Sequence, residues 1–433
     1  MYSVLTFFLF PLLLLTSDPR TELLQRSIIS LENPENLVQI TDRAADARIV
    51  LLGEATHGTS EFYVWRDRIS RELIENKGFN FILVEGDWSS AYRVNRYIRQ
   101  LPGAPATAAE ALEGFNRWPQ WMWNNREVLD MVEWLRSYND GKSAGEKVGF
   151  YGMDMYAMWE SIGQVTAKAG QHDSRIGNRL QAKYECLTRF GEDHRAYLES
   201  VARGGQHCGN NAENALALIR EGMGGLAESD PAAWFNLEQQ ALVVRNAERH
   251  YRAMLSGGAG SWNERVDHFK ATLNRMLEFK GEGSKGIVWA HNTHVGDARA
   301  TDMAGAGMRN IGQLSRQKYG AEQVFSIGFG TYEGQVLAGR QWGDQMQVMD
   351  IPPAANGSLE ALLNTMSPDV FAVHLGEDFA GVFSDPIGHR AIGVTYNPVT
   401  EARQNYVSTV WPQRYDAFIF IKNTGVLEAL GEQ

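Results

Sequence analysis

The sequence predicts an α/β fold: a mainly parallel central sheet flanked by helices, with an inserted helical subdomain capping the cleft. Three observations predict it. Short apolar runs recur along the chain at Arg48–Leu52, Phe79–Val84, Val148–Tyr151, Gly286–Ala290, Val324–Gly328 and Ala417–Ile421, with weaker ones at Gln347–Ile351, Phe371–His374 and Ala391–Thr395. Continuous apolar runs of this length are the mark of strands buried on both faces. Amphipathic helical patterns separate the early runs, which is the alternation of a parallel sheet. Between about Ala157 and Lys280 long charged amphipathic runs replace the strands altogether.

In chain order, residues 1–26 form an apolar N-terminal segment. Its apolar run from Val4 to Leu15 is shorter than the roughly 20 residues of a membrane-spanning helix. The run has the length of a signal-peptide core. It also lacks a preceding Lys or Arg, contains Pro11 and shows no small-x-small cleavage site, so it reads equally as an apolar arm packed on the domain. The first reading exports the protein, to the periplasm for instance; the second leaves it cytoplasmic. Residues 27–156 are the first part of the α/β core. The helical insertion occupies 157–280, with Gly204-Gly205 and Gly257-Gly258 as turns between helices. Residues 281–433 return to the core.

Composition narrows the function. Of 433 residues, 44% are hydrophobic and 21% charged, ordinary values for a globular chain with a sizeable core. The net charge of −11, with no basic run and no zinc spacing, speaks against nucleic acid. Cys186 and Cys208 form no CxxC, which excludes a zinc ribbon or thioredoxin motif. They are read as one disulfide in an exported protein or as two buried thiols. There is no G-x-S-x-G, H-E-x-x-H or P-loop, and neither cysteine ends a strand. Serine and cysteine nucleophiles and nucleotide-driven chemistry lose support accordingly.

The chemistry lies at the strand ends. Arg48–Leu52 runs into Gly53-Glu54-Ala55-Thr56-His57-Gly58, Phe79–Val84 into Glu85-Gly86-Asp87, Val148–Tyr151 into Gly152-Met153-Asp154, and Gly286–Ala290 into His291-Asn292-Thr293-His294. In open α/β sheets the ligand crevice lies outside the carboxyl ends of the strands. Glu54, His57, Glu85, Asp154, His291 and His294 are thereby delivered to one edge. His57 is suited to general-base work near neutral pH, with Glu54 or Glu85 orienting its ring. Gly53 and Gly58 let the backbone turn and a substrate approach.

In the helix that follows, with Thr59 or Ser60 as N-cap, Phe62, Trp65, Ile69 and Leu73 form the apolar stripe, and Arg66 falls inside it. A guanidinium facing the sheet needs an anionic partner, unless it snorkels at the stripe edge. Trp118 through Trp123 carries three indoles; Trp118 and Trp121 either line an apolar cavity or pack the core. Arg265 and His268, one helical turn apart, either face the cleft together or lie on a solvated helix face.

These residues resemble the erythromycin esterase family. The resemblance rests on Val50 through Phe62, Leu83-Val84-Glu85-Gly86-Asp87, Trp118 through Asn124, Phe150 through Asp154, Trp262-Asn263, Trp289 through Asp297, and Arg414 through Phe420. It spans roughly Ile28 to Ile421. It implies an α/β core with an inserted helical region, and hydrolysis of an ester without a covalent intermediate; in the best-known members the ester is the macrolide lactone, an antibiotic-resistance activity. It implies that His57 takes a proton from water, Glu54 and Glu85 position water and imidazole, Arg66 assists polarisation, and His291 and His294 complete the cleft. Where relatives read Trp-Asn-x-Arg-Asp-x-His, this chain has Val266 before Asp267, so the acid stands one place later. The stretch from His291 to Asp297 is closer to the broad branch of the family than to the macrolide-resistance branch.

The expectation is therefore a cofactor-free carboxylic ester hydrolase acting on a small-molecule ester or lactone, with no nucleic acid and no stable membrane span. Two alternatives use the same residues. Glu54, His57, Glu85, His291 and His294 also form a ligand set for a divalent metal such as Zn²⁺ or Mn²⁺. The Trp cluster also suits a non-enzymatic ligand-binding protein.

Overall fold

A strand buried on both faces must find helices for each of them, and the molecule does so with one large sheet. The computed structural model describes residues 18–431; the apolar run Val4–Leu15 lies outside the described residues. The strands are β1 (Ile29–Ser30), β2 (Ile49–Leu52), β3 (Phe81–Asp87), β4 (Gly149–Asp154), β5 (Gly286–Trp289), β6 (Val324–Ala338), β7 (Gln347–Ile351), β8 (Val370–His374), β9 (Ile387–Arg390), β10 (Tyr406–Thr409) and β11 (Ala417–Thr424). The large sheet runs β1-β8-β11-β6-β2-β5-β3-β4. From β11 to β4 every neighbouring pair is parallel, whereas β8 and β1 extend the sheet antiparallel.

Side chains alternate across the sheet, so each strand serves two cores. Val50, Leu52, Ile82, Val84 and Ile287 face the helix Ser60–Asn76, which buries Phe62, Trp65, Ile69 and Leu73 at the expected spacing. Ile49, Leu51, Phe81, Leu83 and Val288 face the other way, onto helices between β4 and β5. That stretch runs from the helix Met158–His172 to the helix Gly260–Lys280 and contains no strand. It packs along one face and closes one side of the cleft through Arg265. Cys186 and Cys208 are joined as a disulfide within it.

Two strands differ from their apolar runs. β6 continues well past Gly328: it pairs with β11 as far as Gly334, then turns back on β7 as an antiparallel hairpin. Ala391–Thr395 is not a strand. The strand lies just before it, at β9, in a separate two-stranded sheet with β10. Ala391–Thr395 instead crosses the end of the large sheet, making single bridges from Ile392 to Thr56 and from Thr395 to Gly339. Its apolar Ile392 is buried against the β6–β7 hairpin, which satisfies the hydrophobic pattern without a ladder. Among the described residues no helix is long and apolar enough to cross a membrane.

Candidate active site

The strands that carry the polar ends are consecutive in the sheet, in the order β2, β5, β3, β4. Glu54 and His57 follow β2, His291 and His294 follow β5, Glu85 lies in β3, and Asp154 ends β4. β3 and β4 both run further than their apolar cores because the ladder resumes at Asp87 and Asp154, with a register shift after Val84. That shift inserts one extra residue in β3 around Glu85 and Gly86. A bulge of this kind re-aims side chains beside a site.

The loop after β2 is built by close approach rather than by open space. A side chain at Gly53 would collide with the Asn292 amide, and one at Gly58 with the backbone of Leu337. These glycines therefore admit protein and not substrate, which corrects the expectation for them. Thr59 is the N-cap by position only; its hydroxyl meets that of Thr56 instead of capping the helix.

Glu54 is 0% exposed and accepts from two partners: His57 Nδ1 at 2.9 Å and Arg66 Nη2 at 2.7 Å. Donation from Nδ1–H to a carboxylate fixes the His57 tautomer, so Nε2 carries the lone pair. His57 lines a cavity of about 150 Å³ with Glu85, Asp87, Asp154, Arg117, Trp118, Tyr156, Arg265 and Trp342 among its walls. Among the described residues no group hydrogen-bonds to His57 Nε2. Arg66 is 0% exposed, lies over the rings of Tyr63 (4.2 Å) and Trp289 (4.7 Å), and does not line the cavity. It meets Glu54 from behind the cavity wall.

Arg265 reaches in from the first turns of the helix Gly260–Lys280. Its Nε donates to Asp154 Oδ1 at 3.0 Å, and Nη2 donates to Glu85 Oε1 at 2.8 Å. Burial alone pushes the Glu85 carboxyl up, but neighbouring His294 and Arg265 outweigh it and hold Glu85 well below the usual carboxylate range. Burial opposes the charge on Arg265 as well, and Asp154 and Glu85 overcome it. Glu85 Oε2 accepts the His291 backbone N–H at 2.9 Å. His294 is stacked on Trp262 at 4.4 Å, with Nε2 3.2 Å from Arg265 Nη1 and 3.3 Å from Glu85 Oε1. Protonated, it serves Glu85; unprotonated, it accepts from Arg265.

Several expected residues stand behind the cavity wall. His291 Nε2 meets the Ala55 carbonyl at 3.3 Å and Nδ1 the Thr293 hydroxyl at 2.8 Å, so both ring nitrogens are used. Burial, with His57 at a ring distance of 4.8 Å, holds it neutral and well below the usual range. His268 does not face the cleft beside Arg265. It is buried behind it, with Nδ1 2.7 Å from the Asn246 amide, and burial pushes its pKa down to about 4. Trp121 packs the core, whereas Trp118 lines the cavity. Asp267, the displaced acid, turns outward to Arg309 at 3.0 Å; Asp154 is the acid that meets Arg265.

Sequence reasoning missed Asp87, Arg117, Tyr156 and Trp342. Asp87 closes on Arg117; burial, and Asp154 nearby, nonetheless raise its pKa. Trp342 sits in the loop between β6 and β7, far from any motif, and no local signal marks it.

The alternative metal ligands are engaged with one another and with cations. Glu54 is shared by His57 and Arg66, and Glu85 and His294, 3.3 Å apart, both meet the Arg265 guanidinium. Among the described residues no three His, Cys, Asp or Glu side chains are gathered as a metal site.

With this geometry in place, the relatives can be compared. The family model for erythromycin esterase matches residues 74–424. Erythromycin esterase type II of Escherichia coli is 29% identical over 124 residues, 29% of this chain and 27% of that protein. The match thus spans about a quarter of that relative's length. Among solved structures, a Bacillus cereus protein superposes with a TM-score of 0.78 at 20% identity, covering 95% of this chain and 98% of its own. A protein described as a succinoglycan biosynthesis protein gives 0.77 at 19% identity, covering 94% and 97%. A histidine-to-asparagine mutant of the erythromycin esterase EreC in its open conformation gives 0.66 at 16% identity, covering 94% and 99%. At these identities the superpositions show the α/β fold alone.

Proposed function

The chain belongs to the erythromycin esterase family, and from that premise we propose that it is a carboxylic ester hydrolase in which His57 activates a water for direct attack on an ester or lactone. One observation carries the reading: His57 presents an unshared Nε2 to the cavity while Glu54 fixes Nδ1 from behind. A base so oriented needs only a water between it and a carbonyl carbon.

In this reading the water oxygen bonds to the carbonyl carbon as its proton passes to Nε2. Glu54, itself held by Arg66, offsets the charge on the imidazolium. The tetrahedral intermediate then expels the alcohol oxygen, which takes the proton back from Nε2. The products are an acid and an alcohol, or one hydroxy acid from a lactone. Arg265 Nη1, which neither Glu85 nor Asp154 engages, offers an N–H to the developing oxyanion. Glu85 and Asp154 hold that guanidinium in place.

The reaction is metal-independent in this proposal, and the pairing of Glu85 with the Arg265 guanidinium supports that. Incubating the protein with a panel of macrolides and simple esters, and following the mass gain of one water by mass spectrometry, tests it. Turnover that survives exhaustive chelation and disappears in His57→Ala is expected. Turnover of no ester, or activity restored only by an added divalent ion, overturns it.

A further inference from the structure

The cavity has walls of two kinds: charged and polar side chains, among them His57, Glu85, Asp87, Arg117, Asp154 and Arg265, and the aromatic Trp118, Tyr156 and Trp342. Trp118 and Trp342 lie 4.5 Å apart at 58°, so the two indoles touch and form one aromatic wall, and Tyr156 stands 6.3 Å from Trp342. The Trp118 indole N–H donates to the Asp344 carbonyl at 2.9 Å, which ties it to the loop that carries Trp342. Trp342 is nevertheless 55% exposed. A large indole left open beside a catalytic base offers an apolar face that a ligand can cover.

Charge selects the ligand. An aromatic wall also suits a quaternary ammonium, but the charges here argue for a neutral ring. Glu85 and Asp154 are paired with Arg265, Asp87 is paired with Arg117, and Arg265 already lies over the Tyr156 ring at 5.3 Å.

Resting on the hydrolase reading above, we infer that the substrate is an ester carrying one flat, neutral, ring-sized group, which packs on the open face of Trp342 and sets the ester carbonyl against His57 Nε2. Trp342 is the specificity-determining residue.

Two measurements test this separately from catalysis. The first is calorimetric binding of N-benzylacetamide, an amide that mimics benzyl acetate. Wild type is expected to bind it, Trp342→Ala about tenfold more weakly, and Trp342→Phe nearly as well as wild type. The second compares kcat/KM for benzyl acetate, ethyl acetate and acetylcholine, which share the acetyl group. Benzyl acetate is expected to lead, and Trp342→Ala to lower the benzyl-to-ethyl ratio about tenfold through KM. No binding of the amide, an unchanged ratio, or a preference for acetylcholine overturns the inference. Binding with the expected Trp342 dependence but no turnover of any ester leaves the aromatic subsite standing and rejects the hydrolase reading.

Discussion

Arg66→Met removes the guanidinium that meets Glu54 at 2.7 Å and leaves a fully buried carboxylate with His57 as its remaining side-chain partner. Both Arg66 and Glu54 are 0% exposed, so water does not replace the lost donor. Breaking a buried pair from one side costs about 3–5 kcal/mol. Unfolding entropy of about 2.1 cal/mol/K per residue gives a chain of 433 residues roughly 0.9 kcal/mol/K. The melting temperature should therefore fall by about 3–6 °C. Glu54 is then no longer held against His57 to offset the imidazolium, so kcat should fall by a factor of roughly 10²–10⁴. The double variant Glu54→Gln/Arg66→Met removes both charges together and should melt well above the value expected from adding the two single losses. Scanning calorimetry of the four proteins and ester kinetics on each supply the readings. A melting temperature for Arg66→Met within 1 °C of wild type, or strict additivity in the double variant, refutes the reasoning.

Other outcomes follow from the same contacts. His268, with its pKa pushed down to about 4 by burial, is neutral in the folded protein and protonates near 6.5 when unfolded. Its contribution is complete above pH 6.5 and is lost as pH falls toward 4, at about 1.4 kcal/mol per unit; a stability–pH curve for His268→Gln should be flatter in that window. Arg265→Met removes a cation that helps His294 hold Glu85 low, so the Glu85 carboxyl should titrate at higher pH, read by carboxyl carbon NMR; an unmoved titration contradicts this. The Cys186–Cys208 disulfide closes a loop of sequence separation 22, for which chain entropy gives about 3 kcal/mol; Cys208→Ser should melt about 3–4 °C lower, read by calorimetry without reductant.

Much of the fold was legible because its signal is local. A strand buried on both faces is an apolar run, and the residues just after such runs are the ones that reach the crevice. Glu54, His57, Glu85 and Asp154 could be named from that pattern alone. What remained hidden depends on distant pairing. The order β2-β5-β3-β4 makes the four strand ends neighbours, and no single strand carries that information. The bulge at Glu85 is a mismatch between two ladders. Trp342 reaches the cavity only because β6 outruns its apolar half and folds back on β7. Helical spacing placed Arg265 and His268 on one face, yet the crevice admits only the longer arginine, and His268 is enclosed beside Asn246. Val266 and Asp267 show the same limit: a motif with its acid displaced reads as damaged, while Asp154, supplied by β4, meets the arginine.

The central claim is that His57 is the base, with its Nε2 turned to the cavity by Glu54. General bases contribute roughly 10²–10⁴ in rate. Measured on benzyl acetate, kcat/KM of His57→Ala should fall by that factor in protein that circular dichroism shows to be folded. A variant that keeps its activity within threefold of wild type would contradict the account.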